Sequence, residues 1–98
     1  MYIQKETESK SFLVFREMTT NSRIDVEKEA FDRAVAELKN WDYNREASNF
    51  SAKLFELMSK ADMSNKQKLL KGFPCRTSAY LLWMQAPDKE SFYREHLK

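Results

Sequence analysis

On Phe12-Leu13-Val14-Phe15-Arg16-Glu17-Met18 turns the fold class of this 98-residue chain. Four apolar residues in succession fit a short buried strand and a buried helical turn equally well, because no polar position marks the period. A strand needs a neighbour, and no second run stands out to pair with this one. The segment is therefore read as a helix over about 10–19. The polar residues 4–11 before it read as a frayed or short-capped end.

Composition supports an all-helical reading. One Gly and two Pro in 98 residues fall well below the usual shares of about 7% and 5%. Sheets need many turns, and turns draw on those residues. The apolar fraction of 42%, with seven Phe, four Tyr and two Trp, is enough for one packed core.

Downstream, Ser22-x-x-Asp25 has the form of a capping box, hydroxyl and carboxylate satisfying orphan N–H groups. Ile24, Phe31, Val35 and Leu38 then fall on a narrow stripe at helical spacing, flanked by Ala34 and Trp41. This predicts an amphipathic helix over about 22–41. Asp42 would cap a second helix, about 43–61, whose Tyr43, Ala47, Phe50, Leu54, Leu57, Met58 and Ala61 share one face, with Phe55 off it. Ser64-x-x-Gln67 opens a short helix that Gly72 would end in a left-handed cap. Pro74 suits a first helical turn, and that helix runs to about Gln85. Pro87-Asp88 begins a last one carrying Phe92, Tyr93, His96 and Leu97. The expectation is an all-α single domain, residues 1–98, of five or six helices built on a long antiparallel αα-hairpin.

Residues 63–87 stand apart. They hold Gly72, Pro74, Pro87 and the lone Cys75, and four cations (Lys66, Lys68, Lys71, Arg76) with no Asp or Glu. Residues 1–62 carry ten Lys/Arg against twelve Asp/Glu, so the chain is mildly polarised about a total of +2. The lysine-bearing helix and the one after it have the outline of a helix–turn–helix, with Cys75-Arg76-Thr77-Ser78 opening the recognition helix. Tyr80 through Met84 are mostly nonpolar, which argues against a groove-reading face. Pro74-Cys75-Arg76-Thr77-Ser78-Ala79-Tyr80-Leu81-Leu82-Trp83-Met84 also resembles the opening of an HMG box, a family that bends DNA through the minor groove. The resemblance covers eleven residues and departs at Thr77, where the family has Pro. Fourteen residues follow Met84, which is no room for the box's second and third helices.

Catalytic constellations are missing. One Gly excludes phosphate-binding loops. His96 and Cys75 are single, distant in sequence and without metal-ligand spacing. Glu27, Glu29, Asp32 and Glu37 belong to a solvated helical face that does not shift carboxyl pKa values. These readings predict no enzyme activity, no cofactor and no metal. One Cys, no signal-like leader and no apolar run of ~18 residues predict a cytoplasmic protein without a membrane partner.

The helix over 75–86 is apolar on two arcs, so it is either central to its own domain or shared with another molecule. The functional expectation is a protein–protein contact protein (an adaptor, regulator or inhibitor) whose partner meets Arg76, Tyr80, Leu81, Trp83 and Met84. The alternative is a nucleic-acid-binding or nucleoprotein-associated factor using Lys66, Lys68, Lys71 and Arg76. A third is a self-assembling homo-oligomer.

Overall fold

A computed structural model describes residues 1–97, and its architecture is α+β rather than all-α. Three strands, β1 (Ile3–Glu8), β2 (Phe12–Glu17) and β3 (Ser22–Glu27), form an antiparallel meander in the order β1-β2-β3. Five helices follow: α1 (Lys28–Tyr43), α2 (Phe50–Lys60), α3 (Met63–Gly72), α4 (Pro74–Gln85) and α5 (Lys89–His96).

The first 27 residues overturn the helical reading for a specific reason. Both hairpin turns are built from Ser, Thr and Asn instead of Gly and Pro. At the first, Ser9 Oγ accepts from the main-chain N–H groups of Ser11 and Phe12. At the second, Asn21 takes the left-handed conformation at φ 60°, which Asn tolerates better than most side chains. The carboxylate of Glu17 accepts from the Thr19 and Thr20 N–H groups at 2.9 and 2.7 Å and from Thr20 Oγ1 at 2.6 Å. Phe12–Glu17 thus gains two partner strands. Ser22 and Asp25 lie in β3 and cap nothing, and Ile24 belongs to the sheet.

Alternation sets the faces. Leu13, Phe15, Ile24 and Val26 are buried on the inner face, in the cross-strand pairs Leu13–Val26 and Phe15–Ile24. The outer face carries charge around a buried Val14, with ion pairs Arg16–Glu6 and Arg23–Asp25 at 3.0 and 2.8 Å. Helices cover only the inner face. On α1, Phe31, Ala34, Val35, Leu38 and Trp41 are buried at helical spacing, and Phe31 meets Phe15 with ring centres 5.4 Å apart.

The predicted hairpin is displaced along the chain: α1 starts and ends later than expected, and α2 starts later. α1 begins at Lys28 and runs through Asp42, so Asp42 caps nothing. Asn49 caps α2, its side chain accepting from the Ala52 N–H. The buried face of α2 is Ser51, Ala52, Leu54, Phe55 and Met58. Phe50 and Leu57, expected inside, are exposed, and Phe55 is wholly buried. Asp62, not Ser64, caps α3 through the Asn65 N–H. Gly72 ends α3 without a positive φ, so no left-handed cap forms. Pro74 does open α4, and α4 does end at Gln85.

α4 is the central helix, packed on α1, α2, α3, β1 and β3. Around Trp41 gather Phe55, Trp83 and Tyr80, with ring centres at 5.8, 6.0 and 6.4 Å. Trp83 Nε1 donates to Tyr93 Oη at 2.9 Å, which donates to Asp42 Oδ2 at 2.7 Å, pinning α5 to α4 and α1. Gln85 clamps the start of β1. Its Oε1 accepts from the Ile3 N–H and its Nε2 donates to the Ile3 carbonyl. No described helix is long and apolar enough to cross a membrane.

Candidate functional site

The residues singled out on α4 separate in space. Tyr80, Leu81 and Trp83 are 3%, 2% and 7% exposed and fill this domain's own core, while Met84 stands on the surface. Arg76 is half-buried at the edge, where its Nε donates to Ser51 Oγ at 3.1 Å and to Glu37 Oε1 at 3.3 Å. Its guanidinium lies 5.6 Å from the Phe50 ring centre. The five therefore form no single outward surface. Thr77 and Ser78 are fully buried, and Thr77 Oγ1 donates to the Leu69 carbonyl at the end of α3. This lock holds the would-be recognition helix inside the domain.

No hydrogen bond joins Cys75 to His96 among the described residues. Burial, with Glu27 adding to it, pushes the Cys75 thiol above its usual pKa, which disfavours the thiolate. His96 packs against the rings of Phe92 and Phe31 at 4.8 and 5.2 Å, with Asp32 Oδ1 3.8 Å from its Nδ1. Burial lowers its pKa despite the opposing pull of Glu95 and Asp32. Below about pH 6.5 the unfolded chain binds more protons at this position than the folded one. The stability held by the neutral imidazole is thus present above that pH and lost as pH falls through the folded value. Thermal unfolding between pH 7 and 5 is expected to show this decline in the native protein, and a shallower one in His96→Gln. No group of His, Cys, Asp and Glu among the described residues could hold a metal.

What the fold does present is α3. This helix docks chiefly on α4, with Leu70 as its buried residue, and it leaves a groove on either side.

The first groove, of about 630 Å³, lies between α3 and β3. Four consecutive residues of β3, Ser22 to Asp25, form one wall. The strand therefore meets the groove with its edge, since a face would contribute alternate residues. The opposite wall is the stripe Ser64, Gln67, Lys68 and Lys71, one face of a helix.

The charges on the β3 side are already matched. Glu17 at the groove's end is wholly buried and held by the turn, and Asp25 is paired with Arg23. Lys66, Lys68 and Lys71 have no ion-pair partner among the described residues.

The second groove, of about 400 Å³, lies between α2 and α3 and is lined by Leu57, Ala61, Leu69 and Phe73, with Lys60, Asn65 and Lys68 at its rim. Phe50 extends the apolar strip, its ring 5.9 Å from that of Phe73. Phe50 and Leu57 are 63% and 54% exposed.

The α3 lysines were visible in the sequence, but the β3 edge and the Phe50–Leu57 strip were not. The available signal was Phe55, which broke the expected face of α2. Taking Phe55 as core rotates that helix and leaves Phe50 and Leu57, seven residues apart, outside. No family model, curated protein or solved structure matches this chain.

Proposed function

We propose that this protein acts by binding a protein partner, without catalysis, as an adaptor, regulator or inhibitor of a larger molecule. The observation that carries the reading is the apolar strip in which the exposed Phe50 and Leu57 join the half-buried Leu69 and Phe73, with lysines at its rim. A contiguous apolar patch bordered by polar groups is characteristic of interaction sites, and aromatic side chains are favoured at interface centres. The contact surface is thus shifted from α4 to the α2–α3 face.

Phe50→Ser and Leu57→Ser test this. Both side chains are exposed, so each substitution is expected to change stability by no more than about 0.5 kcal/mol. Proteins retained by the immobilised native chain from its source cells are expected to be lost by both variants. Equal retention by both variants contradicts this face as the binding site.

The three unpaired lysines on α3 support a second reading, nucleic-acid binding. Titration with duplex and single-stranded DNA at two salt concentrations separates the two. Phosphate binding weakens steeply with salt, and no affinity at low salt rejects it.

A further inference from the structure

We propose that the groove between β3 and α3 takes an extended acidic segment of a protein partner, which joins the sheet as a fourth strand beside β3. This rests on the protein-binding reading and specifies the partner's chemistry at a second groove.

The hydrogen-bonding register shows which main-chain groups are free. Lys28 N–H donates to the Ser11 carbonyl just beyond the paired strands. Hydrogen-bonded pairs alternate along an antiparallel ladder. Val26–Leu13, Ile24–Phe15 and Ser22–Glu17 are then the bonded pairs. Arg23 and Asp25 must turn their N–H and C=O groups away from β2, toward the edge that lines the groove. That edge offers two donors and two acceptors with no other strand beside it.

The two edges of the sheet are treated differently. On β1 the register slips between Lys5 and Thr7, and Gln85 occupies the main-chain groups of Ile3. A bulge and a covering side chain are ways of closing an edge to further strands. The β2–β3 register has no slip, so β3 is the regular edge. Its length matches the facing wall. Ser22 to Asp25 spans about 10 Å of strand, and Ser64 to Lys71 about 10.5 Å of helix.

Charge selects the occupant. Lys68 and Lys71 overlook the groove unpaired, while Glu17 and Asp25 are engaged within the chain. A strand added here would gain main-chain hydrogen bonds from β3, and carboxylates on its α3-facing side would meet the lysines. A second copy joined edge to edge would bring two basic α3 helices together, which charge opposes.

The probe is an unbiased peptide library displayed on phage and panned against the intact protein. Enrichment of peptides with Asp or Glu at alternate positions, which slow amide exchange at Arg23 and Asp25, is the expected result. The double variant Lys68→Glu/Lys71→Glu is expected to bind them at least tenfold more weakly at low salt with an unchanged thermal midpoint. Leu57→Ser is expected to bind them as the native chain does.

No enrichment, enrichment of basic peptides, or binding that leaves Arg23 and Asp25 exchange unchanged overturns the proposal. So does concentration-dependent protection of those amides without peptide, which would mean self-pairing. An oligothymidylate that displaces the enriched peptides also overturns it, in favour of phosphate. A negative result alongside Leu57-dependent partner capture removes strand addition and leaves the protein-binding reading intact.

Discussion

Trp41→Ala is expected to cost about 3–5 kcal/mol, the range for deleting a buried large aromatic side chain. Domains of this size hold only about 5–15 kcal/mol in total, so the variant will be near the limit of folding. Trp41 is 2% exposed and is the ring on which Phe55 of α2 and Tyr80 and Trp83 of α4 converge. Removing it empties the point where three helices meet. The Arg45 guanidinium, 4.0 Å from the ring centre, loses its partner as well. Trp41→Phe will cost less, both because it leaves a smaller void and because the indole Nε1 is buried without a hydrogen-bond partner. Urea unfolding measures both, with a lowered midpoint and an unchanged slope expected. A loss below about 1 kcal/mol for the alanine variant would contradict this core.

Glu17→Ala will cost about 2–4 kcal/mol, since a buried acceptor lost from three donors leaves them to find water or go unpaired. The residue is wholly buried, yet its pKa is lowered. Burial alone would raise it, but the hydrogen bonds from Thr20 and Thr19 outweigh that and favour the carboxylate. The sign for stability follows. The unfolded chain binds the proton more readily, so the contribution is complete above the usual carboxylate range and is lost as pH falls through the folded value. Glu17→Gln, which keeps one acceptor oxygen, should be less destabilising than alanine and should flatten the acid limb of stability against pH. An acid limb identical to that of the native protein would show that this carboxylate does not hold the β2–β3 turn.

Much of the helical part was legible. The stripe Phe31, Val35, Leu38 marks α1, Pro74 marks the start of α4, and Asp88 begins α5 as its side-chain cap. What hid the sheet was turn chemistry. Three six-residue segments, separated by Ser9-Lys10-Ser11 and by Met18-Thr19-Thr20-Asn21, are a recognisable meander once Ser, Thr and Asn are allowed to make the turns. A scarcity of Gly and Pro excludes turns that need those residues and nothing more.

Ser22-x-x-Asp25 misled for a related reason. A Ser three residues before an acid also fits a strand whose alternate residues face solvent, as Asp25 does. The candidate site was half legible. Lysines 66, 68 and 71 and the missing acids are written in the sequence, but the strand edge opposite them exists only after three segments pair. The two-arc apolar pattern of α4 was real. Tyr80 and Leu81 on its second arc are covered by this chain's own core, while Met84 on the same arc stays at the surface.

α4 belongs to the core, β3 presents a free edge, and the surfaces proposed for binding lie on either side of α3. Residue-resolved amide hydrogen exchange on the intact protein tests the place of α4 and the free edge of β3 together. Slow exchange is expected along Ala79–Trp83 and at Ile24 and Val26, faster exchange across α3, and rapid exchange at Arg23 and Asp25. Uniform protection from residue 22 through 27, as a helix would give, or exchange in α4 as fast as in α3, would contradict it.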